Sequence, residues 1–168
     1  MSGWLMASQL YEAVSQADGK LRYVDATARA GADLGAQHSA RGAAFADADG
    51  DGDLDLCVVD LGEPLRLLEN RTPRAGHWIA VHVRGTVSNR DGYGAVVRVI
   101  AGGRTRVREV RATDGLYSSN DPRAHLGLGA IERIERVEVR WPSGMLSTVE
   151  APPLDAVLDV VEPEEAAR

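Results

Sequence analysis

Five aspartates, Asp47, Asp49, Asp51, Asp53 and Asp55, occupy alternate positions within nine residues. Carboxylates this close repel one another, and no base or nucleophile stands beside them in sequence. A hard dication turns that repulsion into binding, because Ca²⁺ takes about six to eight oxygen ligands. The pattern Asp-x-Asp-x-Asp-Gly-x-x-Asp makes Asp47, Asp49, Asp51 and Asp55 side-chain ligands and Asp53 a main-chain ligand. Gly52 permits the sharp turn that gathers them. The loop departs from the EF-hand, whose bidentate Glu would fall where Val58 stands. The competing reading is an Asp/Gly-rich turn without metal, which needs one or two such residues and gains nothing from five.

The elements that position this loop read as strands. Residues 42–46 and the β-branched, apolar run from Leu54 to Val59 flank it as a hairpin. Residues 9–15 and 20–27 form two more strands around a turn at residues 16–19, residues 28–40 are a small-residue connection, and residues 65–69 close the set. The expectation is a four-stranded antiparallel unit over residues 9–70, the size of one propeller blade. One blade cannot close a ring. The unit therefore borrows partners, as a homo-oligomer or with blades from elsewhere, or serves as an annex to the second half of the chain.

Residues 70–76, with Pro73 and Gly76, mark a boundary. Beyond it, Trp78, Ala80 and His82 alternate with Ile79, Val81 and Val83. A hairpin turns at Gly102-Gly103, and Val137, Val139 and Trp141 alternate with Glu138 and Arg140. Residues 71–161 are expected to form a small β-sandwich and residues 162–168 a disordered acidic tail, while residues 1–8 are a leader of unknown status.

Composition agrees with an all-β chain. Of 168 residues 44% are hydrophobic but only 5% aromatic, so the core is Val, Leu, Ile and Ala, and 18 Gly with 7 Pro imply many turns. A single cysteine, Cys57, excludes an intrachain disulfide and reads as a small buried hydrophobe. No transmembrane run is present, and the first residues lack a basic, long-apolar secretion signal. Residues 1–70 carry five Lys/Arg against twelve Asp/Glu, a net −7, whereas residues 71–150 carry thirteen Arg against eight, a net +5. Acidity overall and the lack of aromatics among the arginines exclude nucleic acid. The scattered histidines lack a zinc spacing, and no phosphate-binding Gly loop or nucleophile elbow occurs.

Two polar loops remain. One holds Asn89, Arg90 and Asp91; the other runs from Asp114 through Tyr117, Asn120, Asp121 and Arg123 to His125. They read either as one face binding a protein, glycan or small metabolite, or as turn chemistry. A third reading makes Asp114 or His125 a general acid/base with Tyr117 beside it. Arg104, Arg106 and Arg108 share one strand face. That stripe suits a phosphate or sulfate partner, or is a solvated outer face paired with Glu109, Glu135 and Glu138.

The stretch Arg41-Gly-Ala-Ala-Phe-Ala-Asp-Ala-Asp-Gly-Asp-Gly-Asp-Leu-Asp-Leu-Cys-Val-Val-Asp60 resembles the FG-GAP, or VCBS, repeat of integrin-like propellers. Residues 77–129 and 134–144, with Ser88-Asn-Arg-Asp-Gly92, His125-Leu-Gly-Leu-Gly129 and Trp141-Pro-Ser-Gly144, are similar to the ASPIC/UnbV family. The resemblance implies Ca²⁺ in the acidic loop and a non-catalytic binding or interaction role. It implies a secreted or cell-surface location, with a cytoplasmic one as the alternative. The alternative that the resemblance implies is an enzyme or accessory protein of enediyne-type natural-product biosynthesis acting through the polar loop face. Family members carry several FG-GAP repeats; this chain carries one.

Overall fold

Apolar alternation decides the strands of the second half. The computed structural model describes residues 5–74 and 76–164. Here Ile79, Val81 and Val83 of β8 (His77–Arg84) point to one side and are buried. Val97 and Val99 of β9 (Val96–Ala101) and Val137 and Val139 of β12 (Ile134–Arg140) do the same and are wholly shielded from water. Each such side chain contributes about 1.5–3 kcal/mol on burial. Two sheets bring these faces together. One has the order β10-β9-β12-β13, with β10 at Arg104–Glu109 and β13 at Leu146–Glu150; the other has the order β11-β8-β14, with β11 at Ala124–Gly129 and β14 at Ala156–Val161. Leu126, Leu128, Val160 and Trp141 complete the shared core.

The expected hairpin at Gly102-Gly103 is present, with both glycines at positive φ. Strand β11 was not expected; residues 113–125 read as loop. Strand β14 lies parallel to β8, with Val157 opposite Ala80 and Val160 opposite Val83, so this sheet is mixed and not antiparallel throughout.

The boundary of the C-terminal tail is corrected. Glu162 is buried, not frayed. Its carboxylate accepts hydrogen bonds from the backbone N–H of Thr86, Val87 and Ser88 and from the hydroxyls of Ser88 and Ser143, at 2.6–2.9 Å. Burial alone would raise its pKa, but the Ser143 and Ser88 hydroxyls and these backbone donors outweigh that and hold it at about 2. Residues 165–168 lie outside the described residues, as do residues 1–4 of the leader.

The first half differs from the single four-stranded unit expected. Strands β2 (Tyr11–Ser15) and β3 (Leu21–Asp25) pair only with each other, around the expected turn at residues 16–19. Strands β5 (Ala40–Ala46), β6 (Asp55–Asp60) and β7 (Arg66–Leu68) form a separate three-stranded sheet. The connection carries a 3₁₀ turn at Thr27–Arg29, a one-turn helix α1 (Ala32–Gly35) and β4 (Gln37–His38), which pairs with β1 (Met6–Ala7). The physical reason is the lack of a shared apolar face: every residue of β2 and β3 is exposed. Ala26 and Val58 are the only buried hydrophobic residues described before Trp78. Asp60 is buried between these pieces; the Arg66 guanidinium at 2.6 Å holds its carboxyl below the usual range. No described helix is long and apolar enough to cross a membrane.

Candidate functional site

The acidic loop joins β5 to β6. Glycines at positive φ, Gly50 and Gly52, let it double back on itself. Asp47 accepts the N–H of Gly50 at 2.8 Å on one oxygen and that of Gly52 at 3.1 Å on the other. Asp49 accepts from Asp51 N–H, and Asp51 from Asp53 N–H, as turn-forming aspartates do. These bonds bring one carboxylate oxygen each of Asp47, Asp49 and Asp51 within 4.8 Å of one another. That donor set fits a hard, oxygen-seeking cation. Burial, then the charges of Asp51, Asp55, Asp49 and Asp47, raise the Asp53 pKa.

Asp55 stands apart from this group. It is buried, and its two oxygens accept from Ala48 N–H at 3.0 Å and Asn70 N–H at 2.8 Å. It closes the loop and ties it to the chain after β7.

The loop does not stand free. Gly52 rests on the indole of Trp78, so closely that a Cβ there would lie 2.1 Å from the ring. The Trp78 indole is buried beneath the loop, and its Nε1 has no hydrogen-bond partner among the described residues. His125 stacks on Trp78, centroids 5.6 Å apart, and shares a 2.9 Å hydrogen bond between Nε2 and the Gly52 carbonyl. That carbonyl can only accept, so Nε2 carries the proton. On β5, Phe45 N–H donates to the Asn120 side-chain oxygen, and Phe45 carbonyl accepts from Asp121 N–H, both at 2.9 Å. The hairpin is therefore fastened to the face of β8 and β11 that turns away from the sandwich core.

These contacts give several expected site residues a structural partner. Asn120, Asp121 and His125 serve the docking of the hairpin, and Arg123 forms a tight ion pair with Asp121. Asn89 bonds both backbone groups of Tyr93, turn chemistry within its own loop. Arg90 and Asp91 are exposed. Of the acid/base candidates, Asp114 and His125 line a common cleft, while Tyr117 faces solvent at 87% exposure with φ of 56°. The three do not assemble a proton-transfer constellation.

The cleft measures about 400 Å³ and is bounded by the hairpin at Phe45, Asp47 and Leu54, by residues 107–111, and by residues 120–125. The arginine stripe is corrected here. Arg104, Arg106 and Arg108 lie opposite Ala101, Val99 and Val97, so they share the core-facing side of the sheet at its edge and not the outer face; Arg104 and Arg108 are exposed there and Arg106 is half-buried. Arg106 reaches the Leu128 carbonyl at 3.3 Å. Glu109 pairs with Arg111, Glu138 pairs with Arg136, and Glu135 accepts from Gly102 N–H; none serves the stripe.

Sequence reasoning missed Trp78 and Glu162. Each had one signal: a large aromatic on the polar side of an alternating strand, and an acid directly after an apolar strand. Residues 85–167 match the family model described as ASPIC and UnbV. A comparison with curated proteins finds no match. The matched segment begins after β8, whose Ile79, Val81 and Val83 nevertheless supply the centre of its core. Two of the motifs that carry the family likeness meet at one point: Ser88 and Ser143 both grip Glu162.

Proposed function

We propose that the chain is a calcium-binding, non-catalytic β-rich binding module. In this reading an FG-GAP-like hairpin holds the ion and the ASPIC/UnbV region holds the hairpin. The observation that supports it is the convergence of Asp47, Asp49 and Asp51 in a loop fastened to the neighbouring sheet at Phe45 and Gly52. Asp47, Asp49 and Asp51 would hold Ca²⁺ through carboxylates and Asp53 through its carbonyl. The ion would supply positive charge where five carboxylates now repel. Because ligands must be deprotonated and gathered, ion binding adds to the folding free energy of the hairpin.

Calorimetric titration with CaCl₂, and thermal melting with and without EGTA, test this on the full chain. Saturable uptake is expected, with a midpoint raised by calcium and restored by EGTA. At a hundredfold excess over Kd the gain is about 2.7 kcal/mol. The double variant Asp49→Asn/Asp51→Asn should melt at the same temperature with and without calcium. Absence of uptake at millimolar calcium overturns the reading.

A further inference from the structure

We infer that the cleft beside the hairpin binds a neutral, polyhydroxylated ligand, a saccharide. This names a ligand class for the module proposed above and rests on that reading. A volume of about 400 Å³ falls within the range of roughly 300–1,000 Å³ usual for small-molecule sites. Two kinds of surface meet there.

One is apolar and left in water. Phe45 from β5, Leu54 from the acidic loop and Val107 from β10 are 44%, 36% and 55% exposed, yet line one hollow. Two strands of different sheets and the loop between β5 and β6 contribute one side chain each, so no single strand's pattern explains the cluster. Such a wall suits the C–H face of a sugar ring.

The other is charged and close to balance: Arg108, Arg111 and Arg123 face Asp47, Glu109, Asp114 and Asp121, and Arg108 alone of the three arginines has no ion pair among the described residues. Arg123 Nε lies 3.0 and 2.8 Å from the two oxygens of Asp121. Arg111 holds Glu109 through Nε at 3.2 Å and Nη2 at 3.0 Å, and its Nη1 lies 3.9 Å from Asp114. Beyond Arg108 and Asp47, an ionic ligand must break up an existing pair to gain a partner. A hydroxyl both donates and accepts, so it can use the spare lone pairs and N–H groups of each pair without separating the charges. Hydrogen bonds to ionised groups are the stronger kind, which lets uncharged hydroxyls compete with water. The rim also offers the Asn120 amide, whose contact with Asp114 is long at 3.5 Å and open to exchange.

Saturation-transfer NMR on the full chain in calcium buffer tests this. The probes are neutral sugars (glucose, galactose, mannose, maltose, cellobiose and lactose), with glucuronate and glucosamine as charged comparators. Transfer to at least one neutral sugar is expected, exceeding that to either comparator. Val107→Asp and Arg111→Ala alter exposed side chains, and each should weaken that transfer at least fivefold at an unchanged melting midpoint. No transfer to any neutral sugar, equal or stronger transfer to the comparators, or undiminished transfer in both variants overturns the inference. Calcium titration of the same samples separates the two failures. Uptake without sugar transfer sinks this inference alone, and loss of uptake sinks the reading beneath it.

Discussion

Glu162 shows how much one side chain can organise. Three backbone N–H groups at residues 86–88 converge on its carboxylate, and two serine hydroxyls complete its shell. Its folded pKa of about 2 lies below its ordinary 4.5, so the carboxylate stabilises the fold fully above about pH 4.5. That contribution fades as pH falls toward 2 and the group protonates. Glu162→Gln replaces an acceptor with a donor facing N–H groups. It should cost about 2–3 kcal/mol at neutral pH, because hydrogen bonds to charged groups are worth about 1.5–3 kcal/mol. Urea unfolding of wild type and variant between pH 2 and 7 checks both points. The gap between the two should narrow on acidification, and parallel curves would refute the assignment.

At the scale of elements, the docking of β5 onto the loop before β11 rests on few bonds. Asn120→Ala removes the acceptor for Phe45 N–H while leaving the Asp121 to Phe45 backbone bond in place. A loss of about 1.4 kcal/mol is one factor of ten in the opening equilibrium. Amide exchange at Phe45 should therefore quicken by roughly tenfold, with the β9 amides unaffected; uniform acceleration would mean global destabilisation instead. The elements divide by how locally they are determined. Strands β8, β9, β10 and β12 were legible because alternation and the Gly102-Gly103 turn are written within each segment. Strand β11 was hidden, since its Ala-His-Leu-Gly-Leu-Gly run follows a stretch of turn formers and two of its six residues lack side chains. The aspartates of the loop were legible by spacing. Their seat was not, because Trp78 and His125 come from strands whose approach to Gly52 no local pattern encodes. The docking role of Asn120 and Asp121 was hidden for the same reason: a polar loop that holds another segment of its own chain reads like one that holds only a stranger.

Across the whole molecule, burial is uneven. The core cluster lies entirely between Ile79 and Val160, whereas the first half leaves Leu10, Tyr11, Leu21, Tyr23, Leu61 and Leu67 among its exposed apolar side chains. Local stability follows buried apolar contact, so the two halves should open at different free energies. Hydrogen exchange on the full chain should find the amides of β8, β9 and β12 protected to the global limit and those of β2 and β3 exchanging near the rate of open chain. Strands β5 and β6 should lie between, held by Asp55, by Phe45 and by the Trp78 seat. Calcium should slow β5 and β6 selectively, because an ion in the loop stabilises only states in which the hairpin is closed. It should leave β2 and β3 unchanged, since β2 and β3 pair only with each other. Equal protection of β2 and β12 would show that the first half has a core of its own. A calcium effect of equal size on β2 and β6 would show that the hairpin and the first strands close as one unit.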